Sequence, residues 1–349
     1  MNPSTTTIGT TLKPQPVRRT RGIGFWTRRI FLGLLVLLVA LPAAGATYQA
    51  VATAMDRRAY PALGQLVDVG GYRLHIHCIG EGSPTVILES GLPNFSSDWA
   101  WVQPEVAKTT RVCAYDRAGL GWSDASPHGR DAITIAAELH TLLQQVNIPG
   151  PYVMAGHSFG GKYIRVFAAQ YPSEVVGMVL VDATHPDLFS RTPEGRAEYS
   201  SMVRISRLSP MLTRLGILRV TGFPAADPAL PSAQRAELNT VGRTTQGAIV
   251  FRDEIFAQPA TDAQVQASGT LGSRPLMVLT AGDQGSPERD HVWRRLQDEL
   301  AGLSSDSVHR IIEGANHSSL VHDRIHAEAT SGAIRQVVDA VRTGQRLAW

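Results

Sequence analysis

The sequence predicts an α/β fold organised around a mostly parallel β-sheet. Apolar runs of strand length alternate with segments of helical periodicity, and such alternation forms parallel sheets that are covered by helices on both faces. At the start of this pattern, residues 66–69 and 72–77 flank two glycines, which predicts a hairpin and an antiparallel edge. Six further apolar runs predict the other strands, at 85–88, 111–115, 151–155, 177–181, 275–280 and 307–312.

The segment that precedes the predicted sheet is basic and then strongly apolar. Residues 1–29 contain six Lys and Arg residues and no Asp or Glu, and we expect this polar stretch to be disordered. Residues 30–55 carry no charge, and a membrane span needs about 20 apolar residues. Because basic residues flank a span on its cytoplasmic side, we predict a transmembrane anchor at 30–55 and an extracytoplasmic body.

Two export signals offer other interpretations of the same segment. Residues 44–46 are Ala-Gly-Ala, a pattern that signal peptidase cleaves, so the protein could be released near Ala46. Arg28 and Arg29 stand before Ile-Phe-Leu, which resembles a twin-arginine export signal. We favour the uncleaved anchor, because the apolar core is long and rich in leucine for a cleaved signal.

The charge balance of the rest of the chain indicates no nucleic-acid partner. The chain has 33 Lys and Arg against 30 Asp and Glu, but six of the basic residues precede residue 30. The remainder is therefore slightly acidic, whereas domains that bind nucleic acids carry a basic surface.

The most informative motif is G-x-S-x-G at 156–160, between a predicted strand and a predicted helix. A serine on such a sharp turn sits in strained backbone, so its neighbours Gly156 and Gly160 must be small. The turn lifts the Ser158 hydroxyl clear of the sheet and points the Phe159 N–H toward a substrate oxyanion. The motif therefore predicts that Ser158 is a nucleophile.

Around this motif the chain resembles the α/β-hydrolase superfamily, from about residue 64 to about residue 341. Residues 90–93 resemble the oxyanion loop of that family, with Ser90 where the family has histidine. Residues 116–123 resemble its D-x-R-G-x-G-x-S loop, and 314–317 its G-x-x-H motif. The resemblance implies an eight-stranded α/β-hydrolase domain at 64–349, with helices on both faces of the sheet.

The interval between the sixth and seventh main strands interrupts the alternation. It contains helix-like stretches and no convincing strand, which predicts a helical cap at about 187–272. Its apolar side chains could line a pocket, and they are Phe189, Met202, Leu212, Leu215, Ile217, Leu218, Phe223 and Phe251.

The resemblance also implies a catalytic set. His317, which follows the last predicted strand, is the expected base for Ser158. The backbone N–H groups of Leu92 and Phe159 are the expected oxyanion hole. We interpret Asp116 and Arg117 as a structural pair that holds loops.

Two carboxylates compete for the role of the acid. In most relatives the acid follows the seventh strand, and the matching position here is Gly285, with Asp283 two residues earlier. Other members place it after the sixth strand, where Asp182 stands one strand from the nucleophile. We favour Asp182 and keep Asp283 as the alternative.

Neither the cysteines nor the histidine pairs predict a metal or cofactor. Cys78 and Cys113 are too few for a Cys-rich metal site. The family topology makes their strands neighbours, so a disulfide is conceivable, but we expect buried free thiols because cross-strand pairs often have poor disulfide geometry. Two pairs of histidines have ligand-like spacings that we attribute to coincidence: His75 with His77, and His322 with His326.

The implied activity is that of a serine hydrolase on a small-molecule carboxylic ester or related acyl bond, through an acyl-enzyme. Carboxylesterase chemistry is the commonest for this set of residues. The alternatives are a non-catalytic binding protein with this fold, and a cofactor-free haloperoxidase, carbon–carbon bond hydrolase or peptidase that uses the same residues.

Overall fold

The computed structural model describes Gly9 and residues 22–348, which form two compact units, one ending at Ala44 and one beginning at Gly45. The predicted disorder of residues 1–29 falls mostly outside the described residues. The first helix, α1 (Ile23–Ala59), begins in the first unit and ends in the second. It is long and apolar enough to cross a membrane. In the first unit, its large apolar side chains between Phe25 and Leu41 are exposed.

The second unit is built on one eight-stranded sheet in the order β1-β2-β4-β3-β5-β6-β7-β8. The two pairings that involve β2 are antiparallel and all the others are parallel, so the predicted mostly parallel sheet with a hairpin edge is confirmed. The strands are β1 (Gln65–Asp68), β2 (Arg73–Ile79), β3 (Thr85–Glu89), β4 (Val112–Tyr115), β5 (Tyr152–His157), β6 (Val175–Val181), β7 (Leu276–Asp283) and β8 (Ser307–Asn316).

Helices cover both faces of the sheet, and a 3₁₀ helix lies at Ser96–Trp99. The α-helices that flank the sheet are α2 (Val102–Val106), α3 (Ala132–Gln145), α4 (Gly160–Gln170), α11 (Pro287–Ala301), α12 (Ser319–His322) and α13 (Arg324–Thr343). The interval of the predicted cap, between β6 and β7, holds α5 (Leu188–Arg191), α6 (Pro193–Arg214), α7 (Ile217–Thr221), α8 (Ser232–Thr240), α9 (Thr245–Phe256) and α10 (Gln258–Ala267).

The core consists of two apolar layers separated by the sheet. Along β5, Met154 packs into the layer that contains α3 and α4, whereas Val153 and Ala155 pack into the layer that contains α2 and α13. Successive side chains of a strand point to opposite faces. A strand that is covered on both sides is therefore apolar throughout, which is why β5 and β6 read as continuous apolar runs.

The expectation of free thiols is wrong, because Cys78 and Cys113 form a disulfide. The antiparallel register of β2 and β4 places the two cysteines directly opposite each other, with their Cα atoms 4.0 Å apart. The pairing of neighbouring strands thus brings the two thiols together.

Candidate active site

Ser158 lies on the sharp turn between β5 and α4, with a left-handed φ of +54°. A Cβ atom at Gly156 would lie 2.7 Å from the Gly160 carbonyl carbon, and one at Gly160 would clash with the Glu89 carbonyl oxygen. The turn therefore closes only with glycine at both positions, as the motif predicts.

The structure brings His317 next to Ser158. This histidine follows β8, and its Nε2 atom lies 3.0 Å from the Ser158 Oγ atom. Its Nδ1 atom lies 2.6 Å from the Asp182 Oδ2 atom. A carboxylate only accepts hydrogen bonds, so Nδ1 carries the proton and Nε2 is left to accept the serine hydroxyl. The imidazole is therefore in the tautomer that a general base needs.

Asp182 follows β6 directly and is fully buried. Its Oδ1 atom accepts from the Ala281 N–H at 2.9 Å and from the Trp293 Nε1–H at 2.8 Å, and the Gln284 amide donates to both oxygens. Burial alone would raise the pKa of Asp182, but the hydrogen bond and charge of His317 and the other donors lower this pKa overall. The carboxylate is therefore ionised at neutral pH.

Asp283, the alternative acid, lies at the end of β7 and is exposed. Its Oδ1 atom accepts from the Gly285 N–H at 2.8 Å, which is a local turn contact. Of the two candidate acids, the structure places only Asp182 within hydrogen-bond distance of His317.

The backbone N–H groups of Leu92 and Phe159 lie on the two segments that flank Ser158. A Cβ atom at Gly91 would lie 3.1 Å from the Ser158 Cβ atom, so the 90–93 loop packs directly on the nucleophile. Phe159 is the N-cap of α4, where N–H groups have no partner within the helix. Within the described residues, neither N–H donates a hydrogen bond to the protein. Both remain available to an anionic oxygen.

Sequence reasoning missed how the 90–93 loop is held. Arg117 donates from Nη1 to the Ser90 carbonyl at 2.7 Å and from Nη2 to the Gly91 carbonyl at 3.2 Å. The same buried guanidinium pairs with Glu89 at 2.7 Å and, on cap helix α9, with Glu254 at 3.0 Å. Arg117 therefore holds a loop, as we interpreted it, but its buried ion pairs are with Glu89 and Glu254 rather than with Asp116. The position of Arg117 within the 116–123 motif was the sequence feature that could have indicated this role.

His157, the first variable residue of the motif, supports the backbone of His317. Its Nε2 atom donates to the His317 carbonyl at 2.9 Å, and its Nδ1 atom has no partner within the described residues. Burial, together with the nearby charge of His317, lowers the pKa of His157 to about 3. This second histidine therefore stays neutral at physiological pH.

A cavity of about 400 Å³ lies above Ser158 and His317. The size suits a small-molecule ligand. Its apolar lining comes from the cap, from the elbow and from Trp293 of α11. Two further lining residues, Glu198 of α6 and Arg289 of α11, form an ion pair with 3.2 Å between Oε2 and Nη1. Of the eight cap residues suggested for a pocket, Phe189 and Met202 line this cavity and the other six do not.

In each pair of histidines with ligand-like spacing, one member lies beside a buried carboxylate. His75 lies 2.9 Å from Asp116, and His322 lies 3.0 Å from Asp98, with all four side chains buried. Among the described residues, no group of three or more His, Cys, Asp or Glu side chains is arranged to hold a metal ion.

Comparisons with known proteins agree with this architecture. The family model of the alpha/beta hydrolase fold matches residues 84–321. An uncharacterised protein of Schizosaccharomyces pombe is 34% identical over 286 residues, which are 72% of this chain and 51% of that protein. The 2-hydroxy-6-oxo-2,4-heptadienoate hydrolase of Pseudomonas putida is 30% identical over 125 residues, 35% of this chain and 45% of that enzyme.

Solved structures share the fold. An esterase from Thermogutta terrifontis is similar over 80% of this chain and 99% of its own, with a TM-score of 0.57 and 20% identity. The chain spans about half the length of the S. pombe relative (51%). That match therefore indicates a shared family but does not indicate a shared activity. Because the family model covers more than half of the chain, this protein belongs to the α/β-hydrolase-fold family.

Proposed function

We propose that this protein is a serine hydrolase that cleaves carboxylic esters of small molecules. Ser158 is the nucleophile, His317 the general base, and Asp182 the acid that orients the imidazole. The observation that carries this proposal is the continuous line of hydrogen bonds from Ser158 Oγ through His317 to Asp182, with distances of 3.0 and 2.6 Å. An adjacent base that is itself oriented by a third group is what activates a serine hydroxyl.

This geometry supports an acyl-enzyme route. Ser158 Oγ attacks the ester carbonyl carbon while its proton passes to His317 Nε2. The imidazolium then gives that proton to the leaving alcohol oxygen as the C–O bond breaks. Water attacks the acyl-enzyme with His317 again as base, which releases the carboxylic acid and restores the serine. The ionised Asp182 stabilises the imidazolium in both steps.

The proposed oxyanion hole consists of the Leu92 and Phe159 N–H groups. Negative charge develops on the carbonyl oxygen in the transition state, and one oxyanion donor is worth about 10²–10³ in kcat. The Phe159 N–H also lies at the positive end of the α4 dipole. Because both donors are backbone groups, Ser90 can replace the family's histidine without the loss of either.

A second candidate is hydrolysis of a carbon–carbon bond by the same residues. The observation that favours it is the similarity to the Pseudomonas putida hydrolase reported above, over 35% of this chain. The two reactions are separated by substrate: a p-nitrophenyl ester tests ester hydrolysis, and a vinylogous 1,5-diketone tests carbon–carbon cleavage. Turnover of the diketone alone would favour the second candidate.

We also propose that α1 anchors the enzyme in a membrane and that the hydrolase domain lies outside the cytoplasm. This domain comprises residues 64–349, and its helical cap comprises residues from about 187 to about 272. The length and apolar character of α1 support the anchor, and Arg28 and Arg29 mark its cytoplasmic end. The disulfide of Cys78 with Cys113 supports an oxidising compartment. Export with cleavage near Ala46 is the alternative.

The test of the proposed nucleophile is Ser158→Ala. We expect no labelling by a fluorophosphonate and a loss of ester turnover by at least about 10⁴-fold, because the attacking atom is gone. The matched control is Ser318→Ala, which removes another hydroxyl at the same cavity and should preserve both signals. Ester turnover that survives in folded Ser158→Ala would exclude Ser158 as the nucleophile.

A further inference from the structure

The outer side of the cap carries an exposed apolar surface with a basic margin. Residues 199–226 contain four arginines and no Asp or Glu. Six large apolar side chains of this stretch are between 41% and 75% exposed, and we call them the cap patch: Ile205, Leu208, Met211, Ile217, Val220 and Phe223. Elsewhere from residue 60 to 348, exposed large apolar side chains are scattered along the chain, which soluble surfaces tolerate.

Three of the four arginines beside the cap patch are not neutralised by a carboxylate of the described residues, and the fourth, Arg219, pairs with Asp56. Arg204 donates to the Ser201 hydroxyl, and the Arg207 guanidinium lies over the Phe256 ring at 5.4 Å from its centre. In the described part of the chain, neither they nor Arg214 pairs with a carboxylate. Apolar side chains beside unpaired arginines are typical of a surface that lies on anionic lipid.

The cap patch adjoins the residues that follow the apolar segment of α1. A Cβ atom at Gly45 would clash with the Leu215 carbonyl oxygen, and one at Gly216 would lie 2.9 Å from the Tyr48 ring. One to three turns further along α1, the Gln49 amide donates to the Arg243 carbonyl at 2.8 Å, and Asp56 pairs with Arg219 at 2.6 Å. The end of α6 and the start of α7 therefore lie against Gly45.

We propose that the cap patch docks on the extracytoplasmic leaflet of the bilayer that holds α1, where its arginines bind anionic lipids. This inference rests on the proposed membrane attachment: when the apolar part of α1 crosses a bilayer, chain continuity keeps Gly45 and the residues after it close to the bilayer surface. The loop between α6 and α7, in contact with Gly45, then lies at that surface too. Burial of the six side chains removes apolar area from water, and the arginines meet lipid phosphates.

The docked cap also selects the class of substrate. Helix α6 contributes to both the cap patch and the cavity, since Leu208 and Met211 are exposed whereas Glu198 and Met202 line the cavity. A molecule that partitions into the leaflet thus lies next to the helix that also lines the cavity above Ser158. The favoured substrates are acyl esters that reside in the membrane rather than freely soluble ones.

The test uses the full chain in vesicles of phosphatidylcholine and phosphatidylglycerol that contain a nitroxide-labelled lipid. Both native cysteines are in the disulfide, so Val220→Cys provides a single thiol for a fluorophore. The matched control is Ile325→Cys on α13, since Ile325 is 80% exposed and Val220 75%. We expect the nitroxide to remove most of the fluorescence at position 220 and almost none at 325.

The role of charge is tested in the Val220→Cys background by changing Arg204, Arg207 and Arg214 to Gln. Quenching should then fall to the level seen in vesicles of phosphatidylcholine alone. Equal quenching at positions 220 and 325, in protein that floats with the vesicles, would overturn the docking of the cap but not the anchor. Protein that does not float with the vesicles would overturn both the docking of the cap and the membrane anchor. Ester turnover in the same sample reports independently on the proposed hydrolase activity.

Discussion

Ser158 and Asp182 adopt left-handed backbone conformations, with φ values of +54° and +44°, that non-glycine residues rarely take. Each is the first residue after its strand, and each backbone N–H still bonds to the next strand. The Ser158 N–H donates to Val181 at 3.1 Å, and the Asp182 N–H donates to Leu279 at 2.7 Å. Hydrogen bonds of the sheet thus hold both strained residues and keep their side chains directed at His317.

The first prediction at the residue scale compares the two carboxylates. Asp182→Asn should reduce kcat by about 10⁴-fold, since an amide cannot hold the reactive tautomer of His317. Asp283→Asn should retain most activity and lower stability by about 1 kcal/mol or less, because this side chain only closes a local turn. Kinetics with a p-nitrophenyl ester and thermal unfolding check both variants, and the reverse ranking would favour Asp283 as the acid.

The second concerns acid stability and His157. Its pKa is about 3 in the folded protein and about 6.5 in an unfolded chain. The folded state therefore disfavours protonation of His157. The contribution of neutral His157 to the free energy of unfolding is complete above pH 6.5, and it is lost as the pH falls toward 3. Between pH 6 and 4, the free energy of unfolding should decrease by about 2 kcal/mol more than in His157→Gln.

Denaturant unfolding at several pH values measures this difference. His185, whose pKa is lowered to about 4 by burial, is present in both proteins and cancels in the comparison. Parallel pH profiles for the two proteins would show that His157 is not held neutral by the fold.

At the element scale, one buried guanidinium ties the oxyanion loop to the cap. Arg117, after β4, donates to the 90–93 loop and pairs with Glu254 of α9, which also accepts from the Tyr163 hydroxyl of α4 at 2.9 Å. All these groups are buried, so each carboxylate needs its partner. The loop, the cap and the helix after the nucleophile are therefore held as one assembly.

The elbow itself yields a prediction with a matched control. Gly160→Ala should destabilise the protein by about 1–3 kcal/mol and lower ester turnover, because the new Cβ meets the Glu89 carbonyl. Gly332→Ala, in the middle of α13, meets nothing closer than 4.0 Å and should stabilise by about 0.5–1 kcal/mol. Chemical denaturation gives both values, and equal effects would mean that the elbow can widen.

At the scale of the whole molecule, α1 belongs to two environments. Its apolar first part is the proposed membrane span, whereas the part from Gly45 onward belongs to the compact hydrolase unit. Gln49 is 2% exposed, and Asp56 forms an ion pair with Arg219 of the cap. A span predicted at 30–55 therefore includes residues that also make polar contacts with the cap.

Two truncations separate these roles. Removal of residues 1–44 should release a soluble protein with the thermal stability of the full hydrolase unit. Removal of residues 1–57 also deletes Gln49 and Asp56, so the melting temperature of this shorter protein should fall by at least about 2 °C. That is about the shift that a loss of 1 kcal/mol causes in a large domain. Equal melting temperatures would show that the 45–57 segment does not stabilise the cap.

Local patterns in the sequence were sufficient for the fold class and for part of the candidate site. Alternation of apolar runs with helical segments predicts the sheet, since burial on both faces requires continuously apolar strands. The elbow is also local, because a strained turn needs glycine on each side of Ser158. His317 follows from its short distance in sequence from the last strand.

Only the tertiary structure decided which distant groups meet. It placed Asp182 rather than Asp283 beside His317, joined Cys78 to Cys113, and linked Arg117 to the cap. It also left Ile217 and Phe223, which were expected to line a pocket, exposed and away from the cavity. These contacts depend on strand order, on register and on the packing of helices far apart in sequence, and no periodicity within a single segment records them.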